Sequence, residues 1–206
     1  MSGGETLPEL LAEVRACRVC AAHLPLGPRP VLRAAATARL LIVGQAPGTR
    51  VHKTGIPFND PSGNRLRDWL ALDRAAFYDE ARVAIVPMGF CYPGTAPGGG
   101  DLPPRPECAP LWHGRLRALL PRLELTLLVG RYAQVFYLGR GRTMTETVRE
   151  WRDAALGFWP LPHPSWRNTA WLKRNPWFAA ELLPTLRARL RSVLADGDGR
   201  SDRRRP

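Results

Sequence analysis

The chain has 206 residues, of which 45% are apolar and 8% aromatic, a composition that fits one globular domain with a substantial core. No apolar run is long enough to span a bilayer, and the first residues lack the apolar segment of a signal peptide. We therefore expect a cytoplasmic protein without a membrane partner. The net charge of +12 indicates either a solvated basic surface or a polyanionic partner, most simply nucleic acid.

Hydrophobic patterns predict helices and buried strands in alternation. In chain order, a helical face is formed by Leu7, Leu10, Leu11 and Val14. Continuously apolar runs predict strands within 38–44, 83–90, 125–130 and 158–164. Helical spacing predicts helices over 62–72, 108–123, 132–139, 145–154 and 175–195, with Ser62 and Thr143 as N-caps. This alternation predicts a three-layer α/β fold, in which a mostly parallel four-stranded sheet is flanked by helices.

Three segments lie at the ends of predicted strands, at 44–48, 87–91 and 163–167. Ligands of such sheets bind beyond the carboxyl ends of the strands, so we expect the functional site there. The Gly- and Pro-rich segment 92–106 is predicted to be a long loop, either functional or disordered. We expect a single domain over 1–195 and a disordered basic tail over 196–206.

The loop "GQAPG" at 44–48 does not have the spacing of a dinucleotide-binding or P-loop motif, and no helix is expected directly after it. A nucleotide cofactor is therefore not expected. The loop offers approachable backbone N–H groups, and the aromatic residue Phe58 follows it.

The stretches "LLIVGQAPG…KTGIPF" and "LPHPS" resemble the two signature motifs of the uracil-DNA glycosylase superfamily, whose members hydrolyse the N-glycosidic bond of a flipped-out base. With four cysteines, the chain is most similar to the iron–sulfur branch (family 4). The resemblance implies that Gln45 and the backbone after Gly44 lie at the rim of the base and that Phe58 stacks on it. It also implies that His163 donates a hydrogen bond to a carbonyl oxygen of the departing base.

The same resemblance assigns a DNA-binding role to the residues after His163. Ser165 is expected to bind a flanking phosphate, and Trp166 and Arg167 to enter the minor groove and fill the vacated stack. Core packing is the alternative for Trp166. Lys53 is close enough to the 44–48 loop to meet a phosphate, although a solvated loop charge is equally consistent with the sequence.

Two positions depart from the family pattern. Another branch carries "GQDPY", whose Asp orients the water, whereas this chain has Ala46 at that position. Asp60 is the nearest carboxylate in sequence and is our candidate for that role, although "NDPS" is also a turn and helix-start sequence. Pro87 stands where the superfamily's base-reading Asn is usual, so selectivity is expected from backbone, Asn59 or Gln45, or is relaxed toward hypoxanthine or xanthine.

The four cysteines, Cys17, Cys20, Cys91 and Cys108, have an order and approximate spacing similar to those of the iron–sulfur branch. Their pattern alone fits a [4Fe–4S] cluster, a zinc site or free core thiols. The resemblance favours the cluster, with zinc second, in a structural role. The other histidines, His23, His52 and His113, are expected to be surface or structural residues.

These observations predict a monomeric, monofunctional DNA glycosylase that starts base-excision repair, with no lyase step because no nucleophilic Lys is indicated. The alternative is a non-catalytic or covalently trapping lesion-binding protein on the same scaffold, because Ala46 and Pro87 both depart from the catalytic pattern.

Overall fold

A computed structural model describes residues 4–152 and 157–195, so the predicted tail at 196–206 lies outside the described part. Four strands form the central sheet: β1 Leu40–Val43, β2 Val83–Ile85, β3 Leu125–Val129 and β4 Phe158–Leu161. Their order is β2-β1-β3-β4, and every neighbouring pair is parallel. The predicted α/β fold with a parallel four-stranded sheet is confirmed.

The described helices surround this sheet. They are α1 Leu7–Ala16, α2 Thr49–Thr54, α3 Pro61–Leu70, α4 Arg74–Phe77, α5 Cys108–Ala118, α6 Arg131–Leu138, α7 Met144–Arg149, α8 Thr169–Arg174 and α9 Leu183–Ala195. None of the described helices is both long enough and apolar enough to cross a membrane.

Two hydrophobic layers lie on the two faces of the sheet, because successive side chains of a strand point to opposite faces. Leu40 and Ile42 of β1 belong to the layer that packs against α3 and α9. Leu41 and Val43 belong to the other layer, with α1 and α5. The apolar face predicted for α1 is buried in this second layer, as expected.

Of the two predicted helix N-caps, one is confirmed and one is wrong. Thr143 caps α7 as predicted, and its hydroxyl accepts a hydrogen bond from the N–H of Glu146. The prediction that Ser62 caps α3 is wrong: Asp60 is the N-cap, and its Oδ1 accepts the Gly63 N–H at 2.7 Å. Pro61 then occupies the first helical position, where its missing N–H costs nothing.

Two other expectations are wrong. The loop at 44–48 does lead straight into a helix, the short α2, which ends at Gly55 in a left-handed conformation. The closing helix is not one regular helix, because a π-helical turn over Phe178–Leu182 precedes α9. Pro184 explains the irregular turn, since it has no N–H to donate to the preceding turn.

Candidate active site

A pocket of about 520 Å³ opens at the carboxyl ends of the strands. The segments after β1, β2 and β4 all line it, which is where a parallel sheet of this kind places a ligand. Its lining includes most of the predicted site residues: Gly44, Gln45, Ala46, Phe58, Asp60, Pro87, His163, Ser165, Trp166 and Arg167. The structure thus brings together residues that are more than a hundred positions apart.

Phe58 forms an aromatic wall of the pocket and is fixed by its backbone. Its φ of +53° is unusual for a residue with a side chain. The ring lies against Gly44, where an added Cβ would be 2.9 Å from the Phe58 Cζ atom, and the Phe58 carbonyl packs directly on Gly63. The ring also meets Phe77 edge-on, with centroids 6.2 Å apart. Two glycines and an aromatic neighbour therefore hold the ring in place.

His163 is held as a neutral hydrogen-bond donor. The Ser165 N–H donates to its Nδ1 at 3.2 Å, so the ring proton of the neutral imidazole resides on Nε2. Burial lowers the pKa of His163, and the Asp60 carboxylate opposes this only in part. Asn168 Nδ2 donates to the His163 carbonyl at 2.7 Å and fixes the backbone. An imidazole with a free Nε2–H in a pocket is suited to stabilising an oxyanion.

Asp60 has two roles in the structure, because it caps α3 and also lines the pocket. The helix-start interpretation of the "NDPS" sequence is confirmed, and the role of Asp60 toward a water stays a prediction. One oxygen, Oδ1, is engaged by the Gly63 N–H. Burial lowers the pKa of His163 and raises that of Asp101. The negative charge of Asp60 opposes the first of these shifts and adds to the second.

The inner wall of the pocket at the end of β2 is apolar. Val31, Val51, Ile85 and Pro87 line it, and Pro87 has no N–H to offer a base. The two following N–H groups are already used, since Met88 donates to the Gly44 carbonyl and Gly89 to the Gln45 carbonyl.

The Pro87 carbonyl is also occupied, by the buried His113. A carbonyl can only accept, so His113 Nε2–H donates to it at 3.0 Å, and His113 Nδ1 accepts from the Tyr137 hydroxyl at 2.8 Å. Burial lowers the pKa of His113 to about 4, so this imidazole is neutral. His113 is thus a structural residue, and it is buried. Pro87 therefore has no hydrogen-bond donor for the edge of a base, and its carbonyl already accepts one hydrogen bond.

The chain matches the model of the "Uracil DNA glycosylase superfamily" over residues 32–187, which is most of its length. The chain belongs to this superfamily. Members of the uracil-DNA glycosylase superfamily are generally DNA glycosylases that act on DNA, and the matched region contains every residue named as lining the pocket except Val31.

One residue of the pocket, Asp101, is not among those that the sequence predicts. Asp101 lies on a hairpin closed by hydrogen bonds from the Leu102 N–H to the Gly94 carbonyl and from the Ala96 N–H to the Gly100 carbonyl, both 2.8 Å. Asp101 is exposed at the pocket mouth and lines the pocket. The available signal was a carboxylate in a long loop rich in turn-forming residues. The sequence does not show that this loop lies beside the segments 44–48 and 163–167, because they are far from it along the chain.

Gln45 anchors this hairpin. Its Nε2 donates to the Leu102 carbonyl at 3.2 Å, so the amide group predicted to lie at the rim of the base also fastens the 94–102 segment to the 44–48 loop. The hairpin approaches the loop closely, since an added Cβ on Gly48 would be 3.0 Å from Asp101 Oδ2.

The segment after His163 forms the outer rim of the pocket. Trp166 is 75% exposed, so the core-packing alternative does not hold. The Arg167 guanidinium lies 5.7 Å from the Trp166 ring centroid and packs against the backbone of Gly100. Ser165 accepts the Arg167 N–H on its hydroxyl, and its carbonyl accepts from Arg65 at 3.1 Å. This rim presents an aromatic ring and a cation to solvent beside the pocket.

Two predicted residues do not reach the pocket. Asn59 turns its side chain to Arg74, whose Nη2 donates to Asn59 Oδ1 at 3.2 Å, and contact of Asn59 with a base stays a prediction that this orientation does not favour. Lys53 is exposed on α2 and does not line the pocket either. Contact of Lys53 with DNA stays a prediction.

The four cysteines are brought together in a separate small cavity. Cys17, Cys20, Cys91 and Cys108 all line it, and Arg105 lies beside them with a buried Nε that has no partner among the described residues. The thiols are not paired with one another. Within residues 4–152 and 157–195, no group of three or more His, Cys, Asp or Glu side chains is arranged to hold a metal ion. Four thiols around one cavity nevertheless form the donor set that an iron–sulfur cluster requires.

Proposed function

We propose that the protein is a monofunctional DNA glycosylase that hydrolyses the N-glycosidic bond of uracil or another deaminated base. The observation that carries this proposal is the neutral His163, whose Nδ1 accepts the Ser165 N–H and whose Nε2–H is free in the pocket. It stands with the Phe58 ring in the same pocket. A planar base stacked on the ring would leave as an anion, and the imidazole would donate to its developing oxyanion.

The chain's charge and rim support DNA as the substrate. The net charge of +12 favours phosphate binding, and the exposed Trp166 and Arg167 lie at the mouth of the pocket. In the proposed mechanism Trp166 enters the stack as the base flips out, while Arg167 and Ser165 contact backbone phosphate. The reaction needs no nucleophilic Lys, and we expect a monomer to perform it.

The apolar inner wall bears on the choice of base. Since Pro87 cannot read a base and the neighbouring N–H groups are used within the protein, we propose a lesion range that extends beyond uracil to hypoxanthine or xanthine. Both purines present a carbonyl for His163.

The test is a panel of single- and double-stranded oligonucleotides that carry uracil, hypoxanthine or xanthine, followed by alkali cleavage of abasic sites. We expect more than one turnover per protein on at least one lesion. His163→Ala should lower the rate constant about a hundredfold with little change in DNA binding. His23→Gln is the matched control, because His23 is exposed and does not line the pocket.

Each contrary result has a definite meaning. Activity on uracil alone would refute the broader lesion range. Binding without release of a base would refute the glycosylase and favour the non-catalytic or trapping alternative.

We further propose that the chain belongs to the iron–sulfur branch and that Cys17, Cys20, Cys91 and Cys108 hold a [4Fe–4S] cluster. The support is the convergence of all four thiols on one cavity, although Cys17 and Cys20 precede the matched region. When bound, the cluster would supply a cross-link between α1, the loop after β2 and α5. Zinc is the alternative occupant of the same thiols.

A further inference from the structure

Ala46 leaves the 44–48 loop without a carboxylate, yet the pocket contains two. Asp60 and Asp101 are the acidic residues that line it. Hydrolysis of an N-glycosidic bond builds positive charge on the sugar and requires a water to attack it. Carboxylates are the usual groups for both tasks.

The two carboxylates differ in how free they are. Asp60 Oδ1 is engaged by the Gly63 N–H as the cap of α3. Among the described residues, neither Asp101 oxygen has a hydrogen-bond or ion-pair partner. The charges of Asp60 and Arg167 affect the pKa of Asp101 without direct contact. Asp101 is therefore a fully available acceptor in the pocket.

The hairpin fixes where this acceptor lies. Asp101 pairs with Thr95 in a bridge, and the next residue, Leu102, is held by the Gln45 side chain. As a result Asp101 Oδ2 approaches Gly48, two residues after Ala46. The hairpin thus places the Asp101 carboxylate beside the 44–48 loop, which has Ala46 and no carboxylate of its own.

We propose that Asp101 is a second catalytic carboxylate, which together with Asp60 holds and activates the attacking water. This inference rests on the proposed glycosylase function. The water oxygen forms a bond to the sugar C1′ as the C1′–N bond breaks, and the bonding electron pair leaves with the base. The proton released by the water passes to the Asp101 carboxylate, and His163 Nε2–H stabilises the anionic base.

The electrostatics of the pocket suit Asp101 to accept a proton. Partial burial raises the pKa of its carboxyl group above the ordinary value, the Asp60 charge raises it further, and Arg167 lowers it. A carboxylate with a raised pKa is a stronger base and accepts a proton more readily. The rate should therefore fall as pH drops through this pKa.

The experiment compares Asp101→Asn, Asp60→Asn and the double variant with the wild type in single-turnover assays on the lesion that the panel identifies. Asp101→Asn is expected to lower the rate constant about a hundredfold while the affinity for lesion DNA stays within about threefold. Asp68→Asn is the matched control, because Asp68 is an exposed carboxylate of α3 outside the pocket. Thermal unfolding verifies that each variant is folded.

The pH profile gives a readout that a merely structural role would not move. In Asp60→Asn, removal of the neighbouring charge lowers the pKa of Asp101, so the acidic limb of the residual activity should shift to lower pH. In Asp101→Asn this limb should disappear.

Wild-type rates and an unchanged profile in Asp101→Asn, with activity lost in Asp60→Asn, would overturn the inference and leave the glycosylase function intact. A wild type that releases no base from any lesion would overturn the function itself.

Discussion

Gly100 is the point at which the hairpin touches the outer rim of the pocket, at Arg167. It has a φ of +88°, and an added Cβ would overlap the Arg167 guanidinium. The guanidinium thus has its position beside Trp166 only because the hairpin has no side chain there. At this scale, a single missing methyl group decides where the Arg167 guanidinium can lie.

Gly100→Ala is therefore expected to weaken DNA binding about tenfold and to reduce the slope of log affinity against log salt by about one, as loss of one phosphate contact would. Fluorescence anisotropy at several salt concentrations measures both quantities. Gly98→Ala is the matched control, because an added Cβ there meets nothing within 4 Å and its backbone is not left-handed. Equal losses in the two variants would contradict the proposed contact.

At the scale of elements, α5 supports the inner wall of the pocket at the end of β2. Its His113 donates to the Pro87 carbonyl and accepts from Tyr137 of α6, so two helices and the loop after β2 share one buried hydrogen-bond chain. Only the neutral imidazole can make both bonds, since a protonated ring would donate at both nitrogens.

This chain predicts a dependence of stability on pH. Burial lowers the pKa of His113 from 6.5 to about 4 in the folded state, so the unfolded chain binds the proton first as pH falls. The contribution of the neutral His113 to the free energy of unfolding is therefore fully present above pH 6.5. It is lost progressively as pH falls toward 4, by about 3 kcal/mol in all.

Urea unfolding at pH 7.5, 6, 5 and about 4 measures this loss. His113→Gln is expected to be less stable at neutral pH and to show a smaller decline on acidification, because Gln does not titrate. The exposed His23→Gln should follow the wild type. Parallel curves for His113→Gln and the wild type would show that other groups carry the dependence.

The elements also show which features a sequence can predict. The four strands were predictable because they are almost entirely apolar, with Thr126 of β3 as the exception, and the buried face of α1 because its apolar residues recur with helical spacing. The short α2 was not, since Thr49, Val51 and Thr54 have low helix propensity and its cap is Gly48. Tertiary packing, which buries Val51 and His52, outweighs propensity there.

The candidate site divides in the same way. Strand-end placement and the family motifs located Phe58 and His163. The position of Asp101 depends on a hairpin fastened by a side chain 57 residues away in sequence, and the orientation of Asn59 depends on Arg74. Contacts of this kind are tertiary, so one sequence without its fold does not disclose them.

At the scale of the whole molecule, the cysteine cavity joins segments that the sheet leaves separate. Cys17 follows α1, Cys91 lies after β2 and Cys108 begins α5. Protein prepared without air should contain about four irons per chain and absorb in the visible range, as a [4Fe–4S] cluster does.

Cys108→Ser should lower the iron content and the thermal midpoint together, because cluster binding and folding are coupled. Val19→Ser is the matched control, since Val19 lies between Cys17 and Cys20 but is 63% exposed. Zinc without iron, or full stability in the iron-free Cys108→Ser, would contradict the proposed cofactor or its structural role.

The course of α5 has a practical consequence. The helix begins with a thiol and, five residues later, supplies the imidazole that fixes the Pro87 carbonyl. If the four thiols hold the start of α5 in place as proposed, oxidation of their sulfur atoms would displace His113 and with it the pocket wall at Pro87, although these thiols do not line that pocket. A preparation stored in air would then lose activity through damage at the cysteine cavity and not at the pocket itself. The range of bases that the protein accepts should therefore be measured on protein whose cysteines are not oxidised.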